Sequence, residues 1–219
     1  MAMAAPPTSG QKGGGIAVRG RILDAAFAAF MESGYGATST LAIATRARVS
    51  KRELYALVGN KHEMLVACIS ARASRLRVPA DFPVAHDRET LAHVLASFGT
   101  QLLREITDPA VIAVFRLAIA EAVHAPEVAQ TLDSIGRETS RAALRHIVAR
   151  AEGSGLLTGP PAELAEQFGG LLWGNLLVSL LLGVSKRPNS REVATRARDA
   201  TTAFLKLHPA ASDSAGKQR

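Results

Sequence analysis

Lys51 and Arg52 stand side by side in Val49-Ser50-Lys51-Arg52-Glu53, directly after a serine able to cap a helix. Two long cations in the first turn of a helix are poor proton-transfer groups near neutral pH. They are good multiple donors to phosphate oxygens and to acceptor atoms on base edges. Ser50 can accept from the Glu53 amide while Glu53 reaches back, the capping-box pattern that sets a helix start at Lys51. Leu54, Leu57 and Val58 form the apolar side of that helix, and neither cation belongs to it. Tyr55 follows one turn later, where its hydroxyl can donate to a phosphate or its ring can pack in the core. Lys61 opens the next helix at the positive end of its dipole, so it needs an anion or acceptor nearby; a phosphate would serve.

Other donors surround this group. Thr38, Ser39 and Thr40 begin the preceding helix and could donate to phosphates, although capping alone accounts for one of them. Arg46 and Arg48 add two cations before the turn. Arg19 and Arg21 follow a Gly-, Pro- and Ser-rich opening, placing them where an arm could reach a minor groove or a phosphate.

Catalytic chemistry has no comparable constellation. The six histidines show no metal-ligand spacing, and no His-x-x-x-His pair occurs. Gly13-Gly14-Gly15 precedes a helix without a strand before it, so it reads as linker rather than phosphate loop. No nucleophile elbow is present. The single Cys68 excludes an internal disulfide and a thiolate metal site, and fits a reducing compartment. No enzyme activity, metal or cofactor is expected.

The elements that must position these groups read as helices. Ile22, Leu23, Ala26, Phe27, Phe30 and Met31 repeat at helical spacing from Arg21 until Gly34. Helices over about 40–47, 51–58 and from Lys61 to Val78-Pro79 follow. Beyond them the spacing predicts helices near 88–107, 109–124, 127–152, 162–184 and 190–207, with Pro109, Pro126 and Pro161 at or beside first turns. The expected fold is all-α with about nine helices and no strand. The run Gly169–Val184 would reach only about 24 Å as a helix, short of a bilayer core. It reads as a helix buried on nearly every side, with no membrane role.

Charge divides the chain. Residues 1–78 hold eleven Lys and Arg against four Asp and Glu, while the remainder is balanced at fifteen of each. The whole formal excess of +7 therefore lies in the first third, which suggests a unit that meets a polyanion followed by a neutral unit. The expected organisation is a flexible arm over 1–18, a helix-turn-helix unit over 19–66, a larger helical unit over 67–208 and a flexible tail over 209–219.

The stretch Gly34–Leu65 resembles the DNA-binding domain of the TetR family of bacterial transcriptional regulators. The resemblance rests on Gly34, Thr38/Ser39, Ile43-Ala44, Val49-Ser50, Leu54-Tyr55 and Lys61, and covers roughly residues 20–66. Two positions depart from the family pattern: Arg48 stands where glycine is usual in the turn, and Val58 where phenylalanine is usual. The resemblance implies a cytoplasmic homodimer on double-stranded operator DNA, most often a repressor released by a small-molecule effector. It also implies a dimer contact through the last two helices and an effector pocket in the neutral unit. Phe98, Leu102, Phe115, Leu117, Ile119, Phe168, Leu172 and Trp173 could line a largely apolar cavity, with Arg116, Glu121, His124 or Asn175 as polar handles; a plain packed core is the other reading. A functional alternative is an all-α carrier of apolar small molecules without a specific operator.

Overall fold

The computed structural model describes residues 9–73 and 84–210, with side chains for 14–71 and 84–210. Residues 1–8 of the arm, the end expected at Val78-Pro79 and the tail from 211 lie outside the described residues. Within them every regular element is a helix. The chain divides into two compact units, Met1–Ala71 with Leu117–Leu132, and Arg72–Arg116 with Asp133–Arg219.

The first unit contains α1 (Ser9–Ser33), α2 (Thr40–Ala47), α3 (Lys51–Leu57) and α4 (Lys61–Ala73). Ile22, Ala26, Phe30, Ile43, Leu54, Met64 and Leu65 are among its buried apolar residues, those of α1 at the spacing the sequence predicts. α1 starts at Ser9, before Gly13–Gly15 and ten residues before the expected start of the unit at 19, so 9–18 are helical. Glycine lowers helix propensity by roughly 1 kcal/mol without blocking the hydrogen-bond ladder, and no proline interrupts 9–33. The segment Leu117–Leu132 also belongs to this unit and buries Leu117, Ala118, Val128 and Leu132.

The helices that follow are α5 (Arg88–Ile106), α6 (Pro109–Glu121), α7 (Pro126–Thr131), a π-helical turn (Leu132–Arg137), α8 (Glu138–Gly153), α9 (Pro161–Trp173), α10 (Leu176–Leu181) and α11 (Ser190–Leu207). Two expected helices are thus split. The one over 127–152 contains the π turn, and the one over 162–184 breaks at Gly174, whose φ of 45° and ψ of −129° no helix accommodates. The break is fixed by Arg196, which donates to the carbonyls of Leu172 (2.7 Å) and Trp173 (2.7 Å). Within one chain the expected burial of Gly169–Val184 on nearly every side is incomplete: Leu182 and Val184 are 72% and 74% exposed.

The core of the second unit joins α5, α8, α9 and α11 through Leu95, Phe98, Val148, Phe168, Leu172 and Phe204, among others. Gly99 permits the close approach: a Cβ there would lie 3.1 Å from Leu172 Cδ1 and 3.4 Å from Ala197 Cβ. Phe204 meets Phe168 edge-on at 5.4 Å and lies against the tilted His208 ring at 4.7 Å. His208 has a buried Nε2 without a hydrogen-bond partner among the described residues. Burial, and secondarily the Arg88 guanidinium, holds its imidazole below the ordinary histidine range. A depressed histidine pKa means that the unfolded chain takes up the proton first, so stability is lost as pH falls through the ordinary histidine value of about 6.5. Thermal midpoints measured from about pH 7.5 down to pH 5 are expected to drop more for the wild type than for His208→Gln.

Candidate nucleic-acid interface

α3 is a short helix held by one residue on each side of its chemistry. Ser50 caps it, its Oγ accepting from the Glu53 amide at 3.1 Å, and Leu54 anchors it in the core. The rest of its first turn, Lys51, Arg52 and Glu53, is exposed. The two cations therefore extend from a fixed helix start with no apolar role. Tyr55 is 45% exposed, and its hydroxyl lies 3.2 Å from Thr40 Oγ1. This contact joins the start of α2 to α3 and sets two hydroxyls side by side on the surface.

Ser39, not Thr38, is the cap of α2, accepting from the Ala42 amide at 3.1 Å. Thr38 is 4% exposed. Its hydroxyl faces the carbonyls of Gly34 (2.7 Å) and Ala29 (3.1 Å), which removes it from the candidate surface. Two hydroxyl residues in a row leave the sequence undecided, and burial of one decides it.

The turn between α2 and α3 closes as a Schellman motif. The Arg48 amide donates to Thr45 O at 3.2 Å and the Val49 amide to Ala44 O at 3.1 Å. That geometry places Arg48 at φ 55°, ψ 50°, a left-handed conformation costing an ordinary residue about 1–2 kcal/mol. The departure from glycine noted in the sequence thus falls on a position that still has the backbone glycine favours.

Two further candidates have local partners. Arg46 pairs with Glu32 of α1 through two contacts, one of 2.7 Å. The hydrogen bond from Arg46 lowers the Glu32 carboxyl below its ordinary range. Lys61 donates from Nζ to the carbonyls of Tyr35 (3.0 Å) and Gly36 (3.3 Å), and its ammonium lies 4.5 Å from the Tyr35 ring centre. Glu121 takes the remaining polar group of this turn, accepting from the Gly36 amide at 3.0 Å. Burial raises the Tyr35 hydroxyl pKa, with Glu127 and Glu121 adding to the shift. The cation at the start of α4 is thus met by carbonyls of the α1–α2 turn. Lys61→Ala is expected to cost about 1–2 kcal/mol in a denaturant titration. Duplex binding should keep its dependence on salt; a flatter salt slope at unchanged stability would instead show a phosphate contact. Arg19 and Arg21 are exposed on α1. Asn60 and Glu63 form a reciprocal cap at the start of α4 that the sequence reading passes over as a break (2.7 and 3.0 Å).

The candidate effector residues differ in burial and in the unit to which they belong. Phe98, Leu102, Phe168 and Leu172 sit in the packed core of the second unit, and Trp173 packs against it partly buried. Phe115 is half-buried, while Asn175 is exposed beside the break at Gly174. Ile119 belongs to the first unit and is 63% exposed. Arg116 donates to Leu180 O (2.8 Å) and Leu181 O (3.0 Å), capping the last turn of α10. Its described partners are therefore backbone carbonyls. Among the described residues no cluster of three or more His, Cys, Asp or Glu side chains is placed to hold a metal ion. No described helix is long and apolar enough to cross a membrane.

A pair of short helices joined by a tight turn, the second offering an exposed cationic first turn, defines a helix-turn-helix nucleic-acid-binding protein. Comparison with known proteins agrees. Residues 22–68 match the family model for bacterial regulatory proteins of the tetR family, and residues 93–208 match that for the AefR-like transcriptional repressor C-terminal domain. The chain belongs to the TetR family of transcriptional regulators. A TetR regulator from Agrobacterium tumefaciens is 28% identical, with 90% of this chain and 97% of that one covered at a TM-score of 0.73. The flavonoid-responsive regulator FrrA is also 28% identical, covering 88% and 97% at 0.73. A TetR-family structure from Mesorhizobium loti shares the fold at 24% identity, 89% and 98% coverage and a TM-score of 0.71. No curated protein matches the chain.

Proposed function

We propose that this regulator acts in the bacterial cytoplasm as a homodimeric repressor, binding a two-fold operator through α3 and leaving it when a small molecule occupies the second unit. The observation that carries the reading is the first turn of α3, where Lys51 and Arg52 are exposed on a helix fixed by Ser50 and Leu54. Such a turn suits base edges in a major groove, and Thr40, Tyr55, Ser39 and Arg48 around it suit the flanking phosphates. Arg19 and Arg21 on α1 are further candidates for backbone contact. Exposed Val178, Leu182 and Val184 on and after α10 support self-association through α10 and α11. The effector is read as largely apolar, in keeping with the flavonoid response of FrrA. It shifts the protein away from DNA only by its differential affinity for the two states.

Selection of bound sequences from a random duplex pool tests the reading. The expected product is a near-palindrome with half-sites centred about 34–36 Å apart. Recovery of unenriched DNA would favour a carrier role instead.

A further inference from the structure

Wherever else the described backbone turns left-handed, it uses glycine: Gly34, Gly59, Gly155, Gly159, Gly174 and Gly183 all have positive φ. Arg48 is the one non-glycine residue in that region among the described residues. A side chain kept at such a position needs something in return, and the fold supplies nothing visible. The Arg48 side chain is exposed, and no described carboxylate or carbonyl accepts from its guanidinium. Arg46, two residues earlier, is held bidentate by Glu32 and shows what a structurally engaged arginine looks like on this surface. Downstream of Arg48 come Ser50, Lys51 and Arg52, so the nearest charges in sequence on that side are cations. A structural role would call for the opposite sign.

We infer that Arg48 is a phosphate clamp: it occupies a glycine position at a cost in stability because its guanidinium grips the DNA backbone beside the groove that α3 enters. The inference rests on the operator-binding reading above and assigns this residue a distinct part in it. The planar guanidinium can hold two phosphate oxygens at once. Sitting at the turn rather than on α3, it contributes affinity that does not depend on base sequence. Phosphate contacts release counterions, so each one steepens the dependence of affinity on salt.

The test uses full-length wild type, Arg48→Gly, Arg48→Gln and Arg48→Lys, with two labelled duplexes of roughly 30 base pairs, enough for two half-sites. One carries the selected motif and the other a scrambled sequence. Arg48→Gly relaxes the backbone, so its thermal midpoint should rise by about 2–4 °C. It should bind both duplexes more weakly by a similar factor, about 5- to 10-fold at 0.1 M salt, with the slope of log affinity against log salt reduced by about 1 for each half-site contact. Arg48→Gln should lose the same affinity without the gain in midpoint, and Arg48→Lys, a point charge without the planar fork, should recover only part of the binding. Wild-type affinity and slope in both Arg48→Gly and Arg48→Gln would overturn the clamp, as would a loss confined to the selected motif, which would mark a base reader. A midpoint that does not rise in Arg48→Gly would overturn the exchange of stability for contact. Wild type that binds neither duplex would overturn the operator reading and the clamp together.

Discussion

Lys51→Ala combined with Arg52→Ala is expected to remove sequence-specific DNA binding while leaving the fold intact. The two effects separate because α3 is positioned by other residues. Ser50 satisfies the Glu53 amide, and Leu54 anchors the helix in the core, and neither depends on the cations. Exposed substitutions of this kind stay within about 0.5 kcal/mol in stability. Each side chain that contacts a base edge contributes about 1–3 kcal/mol, so the double variant should lose roughly 30-fold or more in affinity for the selected duplex. Fluorescence anisotropy with competitor DNA, alongside a thermal melt, measures both quantities. Undiminished binding with an unchanged melt would remove α3 from the interface.

The largest expected loss of stability is in the second unit. Phe168→Ala should destabilise the protein by about 3–5 kcal/mol, the usual cost of deleting a buried aromatic ring. Phe168 is fully buried and edge-on to Phe204, and its Cζ lies 3.5 Å from where a Cβ on Gly99 would be. Three helices meet at this point, so the cavity could close only if helices moved. A urea titration without any small molecule reads the effect directly. A loss under about 1 kcal/mol would mean the ring lines open space, as the pocket reading of the sequence allowed, rather than filling a core.

That contrast shows where the sequence was legible. Apolar periodicity placed α5, α6, α11 and the later half of α1, and the Ser50 pattern placed the start of α3, because each is written in local residues. The family pattern also marked Arg48 as the odd residue of its turn, and its left-handed backbone follows. Phe98, Leu102, Phe168 and Leu172 could not be assigned to core or cavity, since the same side chains serve both and only packing distinguishes them. The break at Gly174 was hidden because glycine in an apolar run also suits close helix packing. Lys61 looks like a charge seeking an anion and Arg116 like a polar handle of a cavity, yet both bind main-chain carbonyls, which leave no mark in the sequence. Glu121 likewise gave no sign of its tie to Gly36, which comes 85 positions earlier.

The arginine caps of the second unit carry a consequence for the conditions it tolerates. Arg88 donates to the carbonyls of Leu156 (2.8 Å) and His208 (2.9 Å), as Arg116 and Arg196 do at the ends of α10 and α9. The exposed ladder of Asp133 and Glu138 with Arg137, Arg141 and Arg145 relies on carboxylates instead. Acid discharges that ladder and concentrated electrolyte masks it. A peptide oxygen has no proton to gain in ordinary acid and no net charge to mask. The ends of α9 and α10 are therefore fastened by contacts that neither acid nor electrolyte removes, and the surface ion pairs can fail without unfastening them.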